Sequence, residues 1–170
     1  MLKHTLLIAI FVLLASCNSQ APLHAAESPS DVLSRAVGSW TYTYKITVPT
    51  EMTFTGEETG KWILGKKFLQ SNTTLSNGDT QLGLANYSKE AKTFFFWTFK
   101  SDGSFPLGAT TGTWDEDSET MTLEGEYLGG FSLTGFYRYP DADQIEFEIT
   151  LMSPDGTVVF AMSATGTRKK

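Results

Sequence analysis

A strict alternation of apolar and polar residues begins at Trp40 and sets the pattern for the rest of the chain. Up to Pro49, a Thr or Lys separates each of these apolar residues from the next: Trp40, Tyr42, Tyr44, Ile46 and Val48. Successive side chains of a β-strand point to opposite faces of its sheet. The pattern therefore predicts a strand with one buried and one solvated face.

Similar runs recur as far as Arg168, with turn sequences such as Ser76-Asn77-Gly78-Asp79 between them and no helical pattern. A long meander of this kind must close on itself or leave its edge strands unpaired. We therefore predict an all-β fold, an antiparallel up-and-down β-barrel of about ten strands. The predicted strands span residues 40–48, 52–64, 68–75, 80–87, 93–99, 109–114, 119–127, 131–139, 144–152 and 157–168.

A short N-terminal helix is predicted just before the first strand. The apolar pairs Val32-Leu33 and Ala36-Val37 would form one stripe of a two-turn helix that ends at Gly38. Ser28-Pro29-Ser30-Asp31 supplies candidates for its N-cap.

The N-terminal segment has the composition of a targeting sequence. The apolar run from Thr5 to Ala15 fits the core of a signal peptide and is too short to span a bilayer as a helix. It ends in Leu14-Ala15-Ser16-Cys17, which resembles the lipobox of bacterial lipoproteins, in which the cysteine carries the lipid. We predict a signal peptide over residues 1–16, a tether over 17–30 and a barrel domain over 31–170. Ordinary cleavage near Ala25 or Ala26 is the alternative.

Lipid attachment at Cys17 would make the membrane a partner of this chain and the bacterial cell envelope its location. Asn18 follows the cysteine, which resembles lipoproteins sorted to the outer membrane, facing the periplasm. The formal net charge of −6 argues against binding to nucleic acid and against electrostatic docking on anionic lipid. The sequence does not identify a protein partner.

Two short motifs at the ends of the predicted barrel resemble a known pattern. Gly38-Ser39-Trp40 opens the first strand and Arg168 ends the last, as in lipocalins and calycins, where such an Arg lies across the Trp and closes one end of the barrel. Leu64-Gly65-Lys66-Lys67-Phe68-Leu69 and Asn86-Tyr87-Ser88 are similar to motifs of the bacterial family known as domain of unknown function 1579. The resemblance implies a lipocalin-like fold, brings no assigned activity, and gives Trp40 and Arg168 a structural role in barrel closure.

The predicted domain contains neither histidine nor cysteine, since His4, His24 and Cys17 all precede it. This excludes His-ligated haem, zinc sites built from His or Cys, and catalysis by Ser-His-Asp or Cys-His groups. The acidic segments 115–119 and 141–143 lie at predicted turns and lack the spacing of a calcium loop. We therefore predict no catalytic residues, no metal site and no cofactor.

One charged residue and one aromatic segment stand out among the predicted strands. Glu58 shares the parity of Phe54 and Trp62, so it faces inward unless a bulge at Gly56 or Gly60 shifts the register. An inward Glu58 is a candidate polar anchor for a ligand, since an unpaired carboxylate is costly to bury. Segment 93–99 is apolar on both faces, and we predict that its odd-numbered aromatic residues face inward.

We predict an envelope-anchored lipoprotein that binds a small apolar or amphipathic ligand in its barrel, without catalysis. The candidate ligand-binding residues are Tyr42, Tyr44, Phe54, Glu58, Trp62, Phe95, Trp97, Phe147 and Phe160. The alternative is an interaction or structural module with a filled barrel, whose outer patch of Phe94 and Phe96 meets another protein. An enzyme acting through Glu or Tyr acid–base pairs is a third hypothesis, and it would require a strongly shifted carboxyl pKa.

Overall fold

A computed structural model describes residues 28–104 and 108–170. The predicted signal peptide, its cleavage site and Cys17 lie outside the described residues. The elements are the helix α1 (Pro29–Ser34) and the strands β1 (Gly38–Val48), β2 (Met52–Ile63), β3 (Phe68–Leu75), β4 (Thr80–Ser88), β5 (Thr93–Lys100), β6 (Thr110–Asp115), β7 (Thr120–Tyr127), β8 (Phe131–Asp141), β9 (Gln144–Met152) and β10 (Val158–Arg168).

The ten strands form one closed antiparallel barrel, in which each strand pairs with the next in the chain and β1 pairs with β10. The predicted fold class is confirmed, and the predicted strand ends differ from the observed ones by no more than two residues. No helix within the described ranges has the length and hydropathy needed to cross a bilayer.

Helix α1 spans Pro29–Ser34, so it includes part of the predicted N-cap segment and ends before Ala36-Val37, which the sequence placed in its second turn. Pro29 stands in the first helical turn, where its missing N–H group needs no partner. Ser28 is the N-cap, and its Oγ accepts a hydrogen bond from the Asp31 N–H group at 3.3 Å. The helix buries Val32 and Leu33, with 2% and 5% of their surface exposed, against the barrel core.

The end of the barrel where β1 starts and β10 ends, called the floor below, is sealed by Trp40 and Arg168. Trp40 is 1% exposed, and the guanidinium carbon of Arg168 lies 4.3 Å from the centre of its ring. The guanidinium also donates hydrogen bonds to the backbone carbonyls of Arg35, Val37 and Ala142. Arg168 therefore joins the last strand to the segment after α1 and to the β8–β9 turn.

Gly38 and Gly60 allow the chain to pack closely at the floor. Gly38 has a φ angle of +121°, and a Cβ atom there would lie 2.7 Å from the Arg168 Nη1 atom. A Cβ atom at Gly60 would lie 2.2 Å from the backbone oxygen of Ala36. The pairing of β2 runs through Gly56 and Gly60 without a register shift, so these glycines are sites of close approach and not bulges.

Burial of the inward side chains decreases from the floor toward the opposite end of the barrel. The buried hydrophobic residues among those described lie on α1, near the floor or about midway along the strands: Val32, Leu33, Trp40, Tyr42, Leu69, Ala85, Phe94, Met121, Leu123, Tyr139, Ile145 and Ala164. Toward the other end, inward residues keep part of their surface accessible, among them Tyr44, Ile46, Phe54, Thr98, Leu133, Leu151 and Phe160. We call this second end the open end.

The floor contacts predict which variants destabilise the barrel. Trp40→Ala should lower the free energy of unfolding by about 3 to 5 kcal/mol, because it removes a fully buried aromatic side chain. Arg168→Leu should cost about 3 kcal/mol, since it leaves the part-buried carbonyls of Arg35 and Val37 without their donors. Urea unfolding measures both changes. Arg138→Leu is the control, because Arg138 forms an exposed pair with Glu146 and its loss should cost at most about 1 kcal/mol. Arg168→Leu matching this control would contradict the role of Arg168 as a closing residue.

Candidate functional site in the barrel interior

Seven of the nine predicted ligand-binding residues face the barrel interior. Their inward orientation follows from strand register with buried neighbours such as Ala164, which pairs with Phe147 and Tyr44. The seven are Tyr42, Tyr44, Phe54, Glu58, Trp62, Phe147 and Phe160. Whether any of them contacts a ligand stays a prediction.

The prediction that the odd-numbered aromatic residues of β5 face the barrel interior is wrong. Phe94 is 4% exposed and belongs to the core, and Phe96 packs against the same cluster. Phe95 and Trp97 therefore lie on the outer surface, where their rings stack with centres 5.9 Å apart. Both faces of this strand are apolar, so alternation alone could not choose between them. The choice follows from β6, where Gly112 pairs with Phe94 and a Cβ atom would lie 2.8 Å from the Phe96 ring.

Aromatic side chains form a column that rises from the floor along β1 and β2. Ring centres of Tyr42 and Tyr44 are 5.5 Å apart and those of Tyr44 and Phe54 are 5.0 Å apart, both pairs stacked. On another part of the wall, the rings of Tyr137 and Phe147 stack at 4.6 Å. This wall is apolar in its rings and polar in its hydroxyl groups, which suits an amphipathic guest.

Glu58 lies on the inner face between strands β1 and β3. Its Oε2 accepts a hydrogen bond from Thr73 Oγ1 at 2.8 Å, and its Oε1 accepts one from the Tyr42 hydroxyl at 3.5 Å. The register of β2 is unbroken, so the bulge that would turn Glu58 outward is not present. No Lys or Arg pairs with this carboxylate within the part of the chain that the structure describes.

The interior environment opposes negative charge. Desolvation raises the pKa of Glu58, although the hydrogen bonds from Thr73 and Tyr42 act in the other direction. Burial, together with the nearby Glu58 carboxylate, raises the pKa values of Tyr42, Tyr44 and Tyr137 above the ordinary range, so these hydroxyl groups stay protonated. The cluster can therefore donate hydrogen bonds through its tyrosines and accept them, or receive a proton, at Glu58.

Several residues that shape this interior were not among the predicted ones. Tyr137 and Tyr139 on β8 face inward. Both share the odd-numbered parity of the apolar Leu133, and this alternation in the sequence could have indicated their orientation. Arg35 reinforces the floor, since its guanidinium carbon lies 5.2 Å from the centre of the Trp114 ring and 5.6 Å from that of Tyr139. Trp62 is inward but lies at the floor, where its Nε1 donates to Ser34 Oγ at 3.2 Å.

Two shallow cavities of about 430 and 420 Å³ lie at the floor. Both are lined by Asp141, Ala142 and Arg168, and charged side chains dominate their rims. Arg168 already satisfies its donors there on backbone carbonyls and on Asp143, at 3.4 Å. Among the described residues, no group of three or more His, Cys, Asp or Glu side chains is placed to hold a metal ion.

Solved structures share this barrel at low sequence identity. The S-type phycobiliprotein lyase CPES from Guillardia theta has a TM-score of 0.59 and 13% identity, over 85% of this chain and 94% of that chain. Rv2717c from M. tuberculosis has a TM-score of 0.61 and 17% identity, over 84% of this chain and 99% of that chain. At such identities the likeness concerns the fold alone. No curated protein matches the sequence.

Sequence similarity extends over nearly the whole described region. Residues 26–168 match the family described as protein of unknown function (DUF1579). This range includes α1 and all ten strands, and it confirms the resemblance seen in the short motifs of the sequence. The chain therefore belongs to the DUF1579 family.

Proposed function

We propose that this protein binds a small apolar or amphipathic molecule inside its barrel without converting it. The observation that carries the proposal is the gradient of burial, in which a sealed floor is followed by half-buried aromatic side chains toward the open end. A barrel whose role was only structural would gain stability by burying these rings fully. Their accessibility instead favours a lumen that a guest can enter from the open end.

The polar cluster supports a guest with a polar head. Glu58, Thr73 and the tyrosine hydroxyl groups lie deep in an otherwise aromatic lumen, below Phe54 and Phe160. Binding sites of this type use apolar walls for affinity and a few polar groups to orient the ligand. A guest would place its apolar body along the column of Tyr44 and Phe54 and direct a hydrogen-bond donor or a cation toward Glu58.

We also propose that the protein acts at the bacterial envelope, attached by lipid at Cys17 and facing the periplasm from the outer membrane. The support is the lipobox-like sequence Leu14-Ala15-Ser16-Cys17 and the Asn18 that follows it. A lipid anchor would hold the barrel close to a source of apolar molecules.

Binding without chemistry is favoured by the composition of the lumen. The described residues contain no His and no Cys, which are common catalytic bases and nucleophiles. The Tyr42 hydroxyl that contacts Glu58 stays protonated, so it is suited to orient a guest as a hydrogen-bond donor and not to act as a base. The phycobiliprotein lyase resembles this chain in fold only, and that resemblance assigns no reaction to it.

Ligand entry can be tested with the fluorescent probe N-phenyl-1-naphthylamine, which brightens in apolar surroundings. Thr98 faces the lumen and pairs with Gly83, so Thr98→Trp would place a large ring in a space bordered by small residues. We expect this variant to weaken probe binding by about tenfold or more. Thr43→Trp, on the outer face of β1, is the matched control and should bind like the wild type.

Thermal melting verifies that both variants are folded. If folded Thr98→Trp binds the probe as tightly as the wild type, or if the wild type does not bind it, the lumen is not a binding site. The alternative of a filled barrel acting as an interaction or structural module would then be preferred.

The raised pKa of Glu58 predicts a pH dependence of folding stability. The folded protein holds this proton more tightly than the unfolded chain, where a Glu titrates near pH 4.3 or so. The resulting stabilisation is fully present below that pH and is lost as pH rises through the raised pKa. Wild-type stability should therefore fall over this interval, and Glu58→Gln should lack that component and be more stable than the wild type at neutral pH.

Urea unfolding at a series of pH values provides the measurement. Glu57→Gln is the matched control, because Glu57 points outward and pairs with Lys169 at 2.6 Å. This control should not raise stability at neutral pH. Superimposable profiles for Glu58→Gln and the wild type would show that the charge of Glu58 is not suppressed by the barrel.

A further inference from the structure

The outer surface of strands β3 to β5 carries a continuous group of apolar side chains, which we call the aromatic face. Trp97 is at its centre, with ring-centre distances of 6.5 Å to Phe68 and 5.9 Å to Phe95. Leu84 pairs with Trp97, and Leu82 pairs with Phe99, which is 38% exposed. These side chains point away from the core, because the residues between them on each strand face inward.

The outer faces of the other strands differ sharply in composition. On β1, β7 and β9 the outward residues are polar except for Met152, and on β8 the outward Phe136 stands between Thr122 and Glu148. The polar ones are Ser39, Thr41, Thr43, Lys45, Thr47, Thr120, Thr122, Glu124, Glu126, Gln144, Glu146, Glu148 and Thr150. Single outward apolar residues are normal, but a continuous apolar patch on one side of a mostly polar barrel is typical of an interaction surface.

Four lysines border the aromatic face at the floor end. Lys66 and Lys67 lie in the β2–β3 turn, and Lys89 and Lys92 lie in the β4–β5 turn, where Glu90 is the one acidic residue. All four lysines are exposed, and none forms an ion pair within the described residues. The β2–β3 turn also presents Leu64, which is 71% exposed. This border is basic although the whole chain carries a net charge of −6.

We infer that the aromatic face and its lysine border dock on the surface of an anionic lipid bilayer. Tryptophan and phenylalanine partition into the interfacial region of a membrane, and lysines beside them attract anionic head groups. A protein partner of acidic surface would satisfy the lysines, whereas a membrane surface attracts both the neighbouring lysines and the stacked rings of Phe95 and Trp97. The bilayer is the occupant that uses both features together.

The entry point of the chain is compatible with this orientation. Helix α1 packs against β4 at the floor end, the same end that carries the lysine turns. Ten residues separate Cys17 from Ser28, and an extended chain of that length spans at most about 35 Å. A lipid on Cys17 would therefore keep the barrel within reach of the membrane, while the docking itself depends only on residues of the barrel.

The docking can be tested by the depth of Trp97 in a membrane. Full-chain protein is reconstituted into vesicles of phosphatidylethanolamine and phosphatidylglycerol with brominated acyl chains, which quench tryptophan emission at close range. We expect the emission of the wild type to be quenched, and Trp97→Phe to abolish most of that quenching. Trp62→Phe is the matched control, because the Trp62 ring faces inward at the floor, where it donates to Ser34 Oγ, and this variant should leave the quenched component intact.

The lysine border has its own variants. Lys66→Glu combined with Lys67→Glu should lower the docking equilibrium on these vesicles by about tenfold or more. The control Lys45→Glu combined with Lys170→Glu makes the same change in net charge away from the aromatic face and should have little effect.

Three outcomes would overturn the inference. Equal quenching of the wild type and Trp97→Phe would show that the aromatic face does not meet lipid. Equal quenching in vesicles without phosphatidylglycerol would remove the role of the lysines. A dimer in sedimentation experiments that Trp97→Arg disrupts, with no quenching by lipid, would assign the face to a second copy of the chain.

Discussion

The contact between Arg168 and Trp40 is the interaction on which the rest of the structure depends. It lies where the first and last strands meet, and these two residues are partners in the register of β1 and β10. Arg168 also binds carbonyl groups of the segment after α1 and of the β8–β9 turn, so one side chain holds together the closure of the barrel and the segments that cover its floor. A sealed floor leaves one end through which the interior can be reached, and this asymmetry makes the barrel a candidate container.

Glu58 lowers the stability of the folded barrel. Among the described residues, the Glu58 carboxyl group accepts hydrogen bonds from the Tyr42 and Thr73 hydroxyl groups and pairs with no cation, and burial raises its pKa. Apolar residues of similar size would pack the site at lower cost. Under the proposed function, a guest with a donor or cationic head would complete the cluster, so the same residue that lowers stability would select the ligand.

Much of the architecture could be predicted from the sequence, and the failures have identifiable physical causes. Alternation and turn chemistry located the ten strands, and the Trp40 and Arg168 motif indicated the floor. The facing of Phe95 and Trp97 could not be predicted, because β5 is apolar on both sides and its orientation depends on pairing with β6. Glycine at 56 and 60 suggested bulges, whereas it serves close packing with Tyr44 and Ala36. Sequence periodicity shows which face of a strand is apolar. It does not show which neighbouring side chain or backbone packs closely against a given residue.

Native mass spectrometry of the protein purified from the cells that naturally produce it tests the central claim most directly. If the barrel holds a small amphipathic guest, the spectrum should contain a complex of discrete added mass that is released on activation. The added mass should be absent from folded Thr98→Trp, whose lumen is blocked, and retained by Thr43→Trp, whose new ring lies outside. A wild-type spectrum with only the unliganded mass, or an added mass that persists in Thr98→Trp, would contradict ligand binding in the lumen.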